Sequence, residues 1–271
     1  MTPSAFWSQA PYGEKYVVGT AAYDQEGKPI GAIPWTSDRV AWTWSAEGRF
    51  LCAVVPGGTA NGAPMRLETA FLGQAPKIVA AGFGALFDNA GYQVLACDEG
   101  SDRAIVGFFG QGLYAARLWV FRLSTGAIVR SVDYGGADVG RWVAASPDAS
   151  LIAESVQSTA TSPIRVTIRA ADSGAALGAI DDFTAQGFSG NNAYVVGGNR
   201  SATSVIEWKS GHRVWSGTGA PYGGHLAEPA GERFAVGLGF TGGSDVRDVY
   251  LVGPGGTAVL LPTGVKVSLR Y

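Results

Sequence analysis

The sequence predicts an all-β fold built from one repeated unit, and three observations lead to this prediction. Glycine accounts for 40 of the 271 residues, about twice its usual share, which is typical of a chain with many tight turns. Only 15% of the residues are charged and 46% are hydrophobic, so most strands are expected to be buried. Five segments also share one pattern, in which an apolar strand, a turn of small polar residues and a second apolar strand follow one another.

The five segments recur at a regular interval. They are Val40–Val55, Ala85–Cys97, Trp142–Glu154, Gly187–Val196 and Leu226–Val236. Aligned on their turn residues Ser45, Asp88, Ser146, Ser189 and Glu228, they are 43, 58, 43 and 39 residues apart. Four-stranded propeller blades recur every ~40–45 residues, so three of the four intervals fit such a blade. The long interval contains Asp98–Arg117, which we interpret as an insertion.

Each unit also contains a second hairpin. In Leu118–Val132 apolar and polar residues alternate on both sides of a turn at Thr125-Gly126, the pattern of a β-hairpin. Related hairpins are found in Arg165–Ile180, Val205–Trp215 and Val249–Leu261. Two hairpins per repeat give four strands, and the predicted architecture is therefore a β-propeller.

The two ends of the chain are expected to complete one blade together. Val265–Tyr271 has the pattern of an opening strand and Lys15–Ile33 that of the remaining strands, and their union would remove exposed sheet edges. The prediction is a single domain, 1–271, of six four-stranded blades, the last shared by the N- and C-termini. The blades are expected at 34–78, 79–136, 137–180, 181–219 and 220–261, with a closing blade of 262–271 plus 10–33. Five or seven blades would follow if one unit is misjudged.

One repeat resembles a known family. Ser146-Pro147-Asp148 followed by Leu151-Ile152-Ala153, with the later Ser173-Gly174 hairpin, resembles the WD40-like repeats of TolB-type propellers. The resemblance implies a bacterial protein in a periplasmic or extracellular setting, and protein contact rather than catalysis. The first ten residues lack the features of a signal peptide, so an excised extracytoplasmic domain and a cytoplasmic protein are both open.

The composition and the absence of certain motifs exclude several classes of function. A net charge of -2 provides no basic face for nucleic acid, and no apolar run of 18 residues predicts a membrane span. The sequence contains no phosphate-binding loop, no Gly-x-Ser-x-Gly nucleophile motif and no metal-ligand spacing. We therefore expect no cofactor and no metal, and a ligand- or protein-binding scaffold rather than an enzyme.

The candidate binding residues lie near the loops that precede the innermost strands. They are Trp35, Arg39, Arg141, Trp142, Tyr222 and His225, expected to contact a protein partner or small ligand at the loop face of the central channel. Catalytic residues are unknown. A propeller hydrolase or lyase is an alternative, for which Asp38, Asp138 and Asp182 stand at inner strand ends, and a carbohydrate-binding propeller is another.

Three further expectations concern individual side chains. Cys52 lies four residues after Gly48 and Cys97 six residues after Gly91. Because strand side chains alternate, equal parity places the two thiols in different layers between blades, and no disulfide is expected. Asp98, Glu99 and Asp102 are expected to be solvated turn residues, and His212 an exposed hairpin residue.

Overall fold

The structure of the protein, a computed structural model, consists of four-stranded sheets. It describes residues 7–9, 15–24, 26–36, 40–86, 91–110, 114–135, 140–159, 161–199, 201–227, 234–239 and 246–260. These residues form 24 strands in six antiparallel four-stranded sheets, and within these ranges there is no α-helix. In every sheet the four strands follow one another in the chain. None of the described segments is a helix that could cross a membrane. The prediction of an all-β fold built from four-stranded units is confirmed.

The chain divides into two compact units, and the first comprises residues 1–137 with 148–150. It contains three sheets. The first sheet consists of β1 (Trp7–Gln9), β2 (Lys15–Val18), β3 (Ala21–Asp24) and β4 (Pro29–Ala32). The second consists of β5 (Ala41–Trp44), β6 (Leu51–Pro56), β7 (Pro64–Ala70) and β8 (Lys77–Ala85). The third consists of β9 (Gly91–Asp98), β10 (Arg103–Phe109), β11 (Ala115–Arg122) and β12 (Ile128–Asp133).

The second unit, 138–147 with 151–271, also contains three sheets. The fourth sheet consists of β13 (Gly140–Ala145), β14 (Leu151–Gln157), β15 (Arg165–Ala170) and β16 (Ala176–Asp181). The fifth consists of β17 (Thr184–Phe188), β18 (Tyr194–Gly198), β19 (Ala202–Glu207) and β20 (His212–Thr218). The sixth consists of β21 (Ala220–Ala227), β22 (Phe234–Gly239), β23 (Val246–Val252) and β24 (Ala258–Leu260), with a 3-10 turn at Pro254–Gly256 before β24.

A turn with a buried serine joins the first two strands of the second, fourth and fifth sheets. Ser45, Ser146 and Ser189 are at most 2% exposed. In each turn the serine Oγ accepts the N–H of the residue five positions further on, at 3.2, 2.9 and 3.0 Å. The residue three positions after the serine has a positive φ in all three turns. The alignment of these three repeats from sequence is therefore confirmed in atomic detail.

The expected insertion Asp98–Arg117 is instead part of the third sheet. It comprises the end of β9, the following turn, all of β10 and the start of β11. The turn equivalent to the serine turns begins at Glu99, whose carbonyl accepts the N–H of Asp102, and Asp102 has φ 57°. The alignment missed this turn because Glu99 does not resemble a serine, and it chose Asp88 instead. Asp88 and Glu228 lie outside the described residues.

The first sheet takes all four of its strands from the N-terminal part of the chain. We expected a C-terminal strand beside Lys15–Ile33, but β1 pairs with β2 in antiparallel register, with Trp7 opposite Val18. A partner that is close in sequence closes a short loop, which loses less chain entropy than a pairing across the whole chain. Residues 261–271, the expected closing strand, lie outside the described residues.

Alternate side chains of one strand pack against different neighbouring sheets. In β6, Leu51 and Ala53 belong to a core shared with the first sheet, whereas Cys52 and Val54 belong to a core shared with the third. In the second unit, Val195 and Val196 divide in the same way between the fourth and sixth sheets. Each fully buried aliphatic side chain contributes about 1.5–3 kcal/mol, so within each unit consecutive sheets are joined mainly by these layers.

Five of the described tryptophans lie in the layers between sheets, as the sequence predicts. Trp44 is fully buried and Trp42 packs against the same core between the first and second sheets. Trp119 and Trp208 are 4% and 5% exposed. The rings of Trp215 and Tyr250, between the fifth and sixth sheets, are tilted to each other with their centroids 5.3 Å apart.

A disulfide joins the second and third sheets, which corrects the expectation of two free thiols. Cys52 of β6 and Cys97 of β9 are bonded through their sulfurs, with Cα atoms 6.3 Å apart, and both are at most 1% exposed. The parity argument failed because it aligned Gly91 with Gly48, whereas Gly91 begins the first strand of its sheet and Gly48 precedes the second strand of its own. A bulge in β9 also interrupts the alternation of side chains. Ala96 pairs with Ile105 but Val94 pairs with Val106, so Leu95 is an extra residue that reverses the alternation before Cys97.

The glycines of two equivalent hairpin turns differ in what surrounds them. Gly126 and Gly211 have φ values of 70° and 75°, which any residue with a Cβ resists. A Cβ on Gly126 would also collide with the Val79 carbonyl of β8, whereas a Cβ on Gly211 would meet nothing within 4 Å.

We expect the variant Gly211→Ala to lower the free energy of unfolding by about 1 kcal/mol. The variant Gly126→Ala should lower it by at least about 2 kcal/mol more, because the backbone of β8 must move to make room for the new Cβ. Urea denaturation of both variants measures the difference, and equal losses would contradict the packing of Gly126 on β8.

Removal of the disulfide should destabilise the protein without abolishing its fold. The bond closes a sequence separation of 45 residues, and its loss is expected to cost about 2–4 kcal/mol through the entropy of the unfolded chain. Chemical denaturation of the Cys52→Ala, Cys97→Ala double variant against the oxidised protein measures this cost. Alkylation after denaturation without reductant should leave the mass of the oxidised protein unchanged, and modification of both cysteines would contradict the bond.

Candidate functional site

The structure describes the side chains of three of the predicted binding residues, Trp35, Arg141 and Trp142. Trp35 is only 7% exposed, and its Nε1 donates to Glu68 Oε2 at 2.9 Å. An indole held in this way faces the core, so Trp35 presents no open ring for stacking on a sugar. This finding corrects the expectation that Trp35 lies at a ligand-binding face.

The structure describes the remaining predicted binding residues only in part. Arg141 and Trp142 lie half-buried in β13, opposite Val156 and Ser155 of β14. Tyr222 and His225 lie in β21, where the structure describes the backbone and not their side chains, and Arg39 lies outside the described residues. Their role as contacts stays a prediction.

Of the three carboxylates considered for an enzyme, the structure describes only Asp182. Asp38 and Asp138 lie outside the described residues. Asp182 is exposed with φ 52°, and its Oδ2 accepts Asn199 Nδ2 at 3.0 Å, so it stabilises a turn. His212 begins β20 and is exposed, as expected. In the described ranges, His, Cys, Asp and Glu form no group of three that could hold a metal ion.

A cavity of about 130 Å³ lies in the first unit, at the end of the sheets opposite to the loops that precede β5. It lies between the turn joining β5 to β6 and the turn joining β9 to β10. Its walls are the polar, charged and aromatic residues of these two turns: Ser45, Glu47, Arg49, Phe50, Asp98, Glu99 and Gly100. The sequence did not single out this set, because it comes from two turns in different sheets.

Backbone hydrogen bonds and the disulfide fix the two walls of this cavity. The Ala46 N–H donates to the Cys97 carbonyl at 2.9 Å, which ties one turn to the last residues of β9. Lys15 Nζ donates to the Gly48 carbonyl at 2.7 Å. The Cys52–Cys97 bond joins the same two sheets. The fold itself therefore fixes the positions of the two cavity walls.

Asp98 is the residue of this cavity that sequence reasoning misjudged. It was expected to be a solvated turn residue, but it is only 9% exposed. Its Oδ2 accepts the N–H of Ser101 at 2.6 Å, a bond that shapes the turn. The signal that could have found it is its position directly after the buried strand residue Cys97, since the bulge in β9 turns the end of this strand inward.

The other strongly buried acids hold the sheets together. Glu68, 6% exposed, accepts from Trp35 and lies 3.2 Å from Arg66 NH2. Glu154, 7% exposed, binds Arg169 Nε at 2.6 Å, and Arg169 also donates to the Gly174 carbonyl. These carboxylates serve the fold, since each joins strands or turns of its own sheet.

Tyr92 joins the last strand of the second sheet to the first strand of the third. Its hydroxyl accepts the Ala85 N–H at 2.9 Å and donates to the Ala85 carbonyl at 2.8 Å. Burial raises the pKa of Tyr92 above its usual value, although the hydrogen bond with Ala85 and the charge of Arg117 oppose that shift. The folded state therefore favours the neutral phenol.

The raised pKa of Tyr92 predicts a loss of stability at alkaline pH. Its contribution is fully present below the unfolded pKa of about 10 and is lost as the pH rises through the higher folded pKa. We expect Tyr92→Phe to be less stable than the parent by about 1–2 kcal/mol at pH 7, since the two hydrogen bonds are lost. The gap should narrow between pH 9 and about pH 12 in thermal unfolding experiments. A gap that stays constant would show that Tyr92 titrates alike in both states.

Comparison with known proteins identifies the fold. No protein-family model and no curated protein matches the sequence. A chain of the mitotic checkpoint complex is similar in structure, with a TM-score of 0.60 and 11% identity over 96% of this chain and 78% of that chain. Hydrazine synthase of Kuenenia stuttgartiensis has a TM-score of 0.53 and 14% identity over 93% and 77%. The C-terminal WD40 domain of Sif2 has a TM-score of 0.51 and 10% identity over 92% and 66%.

These similarities support a WD40-like β-propeller fold. This chain spans 66% to 78% of the length of the solved chains just described. At such low identities the similarity concerns the fold and not the activity. The predicted likeness to WD40 repeats is confirmed at the level of the fold.

Proposed function

We propose that this protein is a non-catalytic scaffold that binds a protein partner. The observation that carries the proposal is the use of the buried carboxylates. Glu68 and Glu154 neutralise arginines between strands, and Asp98 holds a turn, so the most buried acids are engaged in the fold itself. A fold whose relatives include a chain of the mitotic checkpoint complex is compatible with a role in protein assembly.

Exposed apolar side chains add support for contact with another protein. They recur on the outermost strands of four sheets, where exposures range from 37% to 62%. They are Ile78, Ile128, Val129, Leu177, Val259 and Leu260. Such exposed apolar side chains are available to pack against another protein.

We further propose that the six sheets are the six blades of one ring, and that the partner contacts the loops before the innermost strands. Six successive sheets of the same strand order support this arrangement. The proposed contacts are Arg39, Arg141, Trp142, Tyr222 and His225.

An extracytoplasmic setting of the TolB-like kind is part of the same proposal. The Cys52–Cys97 bond supports it, because disulfides persist in oxidising compartments and are rare where thiols are kept reduced. The resemblance of Ser146-Pro147-Asp148 to TolB-type repeats points to the same compartment.

Capture of a partner by the oxidised protein tests the proposed function. The immobilised protein is incubated with an extract of the source organism, a captured protein is purified, and its Kd is measured by biolayer interferometry. We expect Arg141→Ala and His225→Ala to weaken binding at least tenfold, since both lie at the proposed loop face. Arg213→Ala, which changes an exposed arginine of β20, is the control and should bind as the parent does.

Two results would contradict this proposal. One is the absence of any saturable protein partner. The other is a partner whose Kd is the same for the parent and both loop-face variants, which would place its contact elsewhere. Thermal unfolding of each variant confirms that the fold is retained before binding is compared.

A further inference from the structure

The loop between β18 and β19 contains the motif Asn199-Arg200-Ser201. Asparagine followed two positions later by serine or threonine, with any residue but proline between them, is the acceptor sequence for N-linked glycosylation. The motif occurs once in the chain. Because so short a motif also arises by chance, its meaning depends on where the fold places its side chains.

The fold places both polar residues of the motif in a tight hairpin loop. β18 ends at Gly198 and β19 begins at Ala202, so the loop consists of residues 199–201. The Asn199 N–H donates to the Ala202 carbonyl at 3.0 Å. Asn199 is half-buried and Ser201 is exposed. A short surface loop is the kind of segment that carries a bulky, hydrated modification without disturbing the core.

Hydrogen bonds hold the Asn199 side chain in one orientation. Its Oδ1 accepts the Ser201 N–H at 3.0 Å, the Ser201 hydroxyl at 2.9 Å and the Ala202 N–H at 3.0 Å. Its Nδ2 donates to Asp182 Oδ2 at 3.0 Å. A side-chain amide has two N–H groups, and among the described residues the second one has no acceptor. The nitrogen therefore has one hydrogen that the fold does not use.

The product of a glycosylation fits these contacts. Oδ1 of Asn199 would keep its donors, and the remaining N–H could still donate to Asp182. The chain directly before the motif is different, because residues 195–198 are buried. A Cβ on Gly197 or on Gly198 would lie 2.0 Å from a backbone oxygen. After these crowded residues, Asn199 is the first side chain of the hairpin to reach the surface.

The disulfide indicates the compartment in which a sugar donor would be met. The Cys52–Cys97 bond is of a kind that persists in oxidising compartments and is rare where thiols are kept reduced. N-linked glycosylation likewise modifies surface loops of secreted proteins. The inference therefore rests on the extracytoplasmic setting proposed above.

We propose that Asn199 is the attachment site of an N-linked glycan. In the reaction, Nδ2 attacks the anomeric carbon of an oligosaccharide carried on a lipid diphosphate. A carbon–nitrogen bond forms, and the bond from the anomeric carbon to the diphosphate oxygen breaks. Its electron pair leaves with the lipid diphosphate, and one proton of Nδ2 passes to a base of the transferring enzyme. Ser201 supplies the hydroxyl that the motif requires.

The position of the site relates it to the proposed loop face. The β18–β19 loop lies at the same end of the fifth sheet as the loop before β17, but between the second and third strands of the sheet. A glycan at Asn199 would therefore border the loop face without covering the start of the innermost strand. Its bulk and hydration would keep a protein partner away from this loop.

Mass spectrometry of the protein from its source organism tests the proposal. Trypsin produces a peptide that ends at Arg200 and contains Asn191, Asn192 and Asn199. We expect this peptide to carry the mass of one oligosaccharide, attached to Asn199. Asn191 and Asn192 lack the motif and should be unmodified, so they serve as internal controls in the same peptide.

Matched variants of the full chain, secreted with a leader by a glycosylating host, identify the residues responsible. Asn199→Gln and Ser201→Ala should each lower the glycosylated fraction at least about tenfold, although Ser201→Ala leaves the amide in place. Ser201→Thr keeps the hydroxyl and should retain the glycan. Asn61→Gln changes an exposed asparagine outside the motif and should be glycosylated as the parent is.

Two results would overturn the proposal. One is an unmodified Asn199 in source protein that has left the cytoplasm with its disulfide formed, which would leave the extracytoplasmic setting and the scaffold role intact. The other is a glycan that persists in Ser201→Ala. Source protein found in the cytoplasm with free thiols would remove both the setting and this site, while partner capture still decides the scaffold role. Should Asn199→Gln fail to fold, Ser201→Ala and Ser201→Thr decide the question.

Discussion

Face-to-face packing of consecutive sheets is the constraint on which the rest of this structure depends. A four-stranded sheet has two faces, and the alternation of side chains along β6 sends Leu51 and Ala53 to one neighbour and Cys52 and Val54 to the other. A single sheet of this composition could not bury both faces alone. This explains why the sequence carries few charges and why its tryptophans lie between sheets rather than on a surface.

The turns follow from the same constraint. Neighbouring sheets can approach closely only where a turn is compact, and the serine turns are compact because one hydroxyl satisfies the backbone of the return strand. At the Gly126 turn the chain meets the carbonyl of Val79 in the preceding sheet. Where two such turns face each other beside the Cys52–Cys97 bond, they enclose a cavity instead of closing completely. The cavity is thus a by-product of sheet packing.

The proposed loop face depends on residues at the start of the first strand of a sheet, among which Arg141 and Trp142 are half-buried in β13. The turns at the other end of the same strands carry the buried serines, which hold the return strand in place.

The sequence by itself determined the all-β fold, the four-stranded unit and the burial of tryptophans such as Trp44 and Trp119, because periods of two and of roughly 40–45 residues are local signals. It aligned Ser45, Ser146 and Ser189 correctly, since a small polar residue is required in each turn. Only the tertiary structure decided the pairing of Cys52 with Cys97, because Cys97 lies in the first strand of its sheet and Cys52 in the second, and a bulge at Leu95 interrupts the alternation in β9. The tertiary structure also decided that Trp35 is an internal donor to Glu68 and that Asp98 is buried. These outcomes depend on which sheet packs against which turn. Contacts between residues that are distant in the chain produce no periodic pattern in a single sequence.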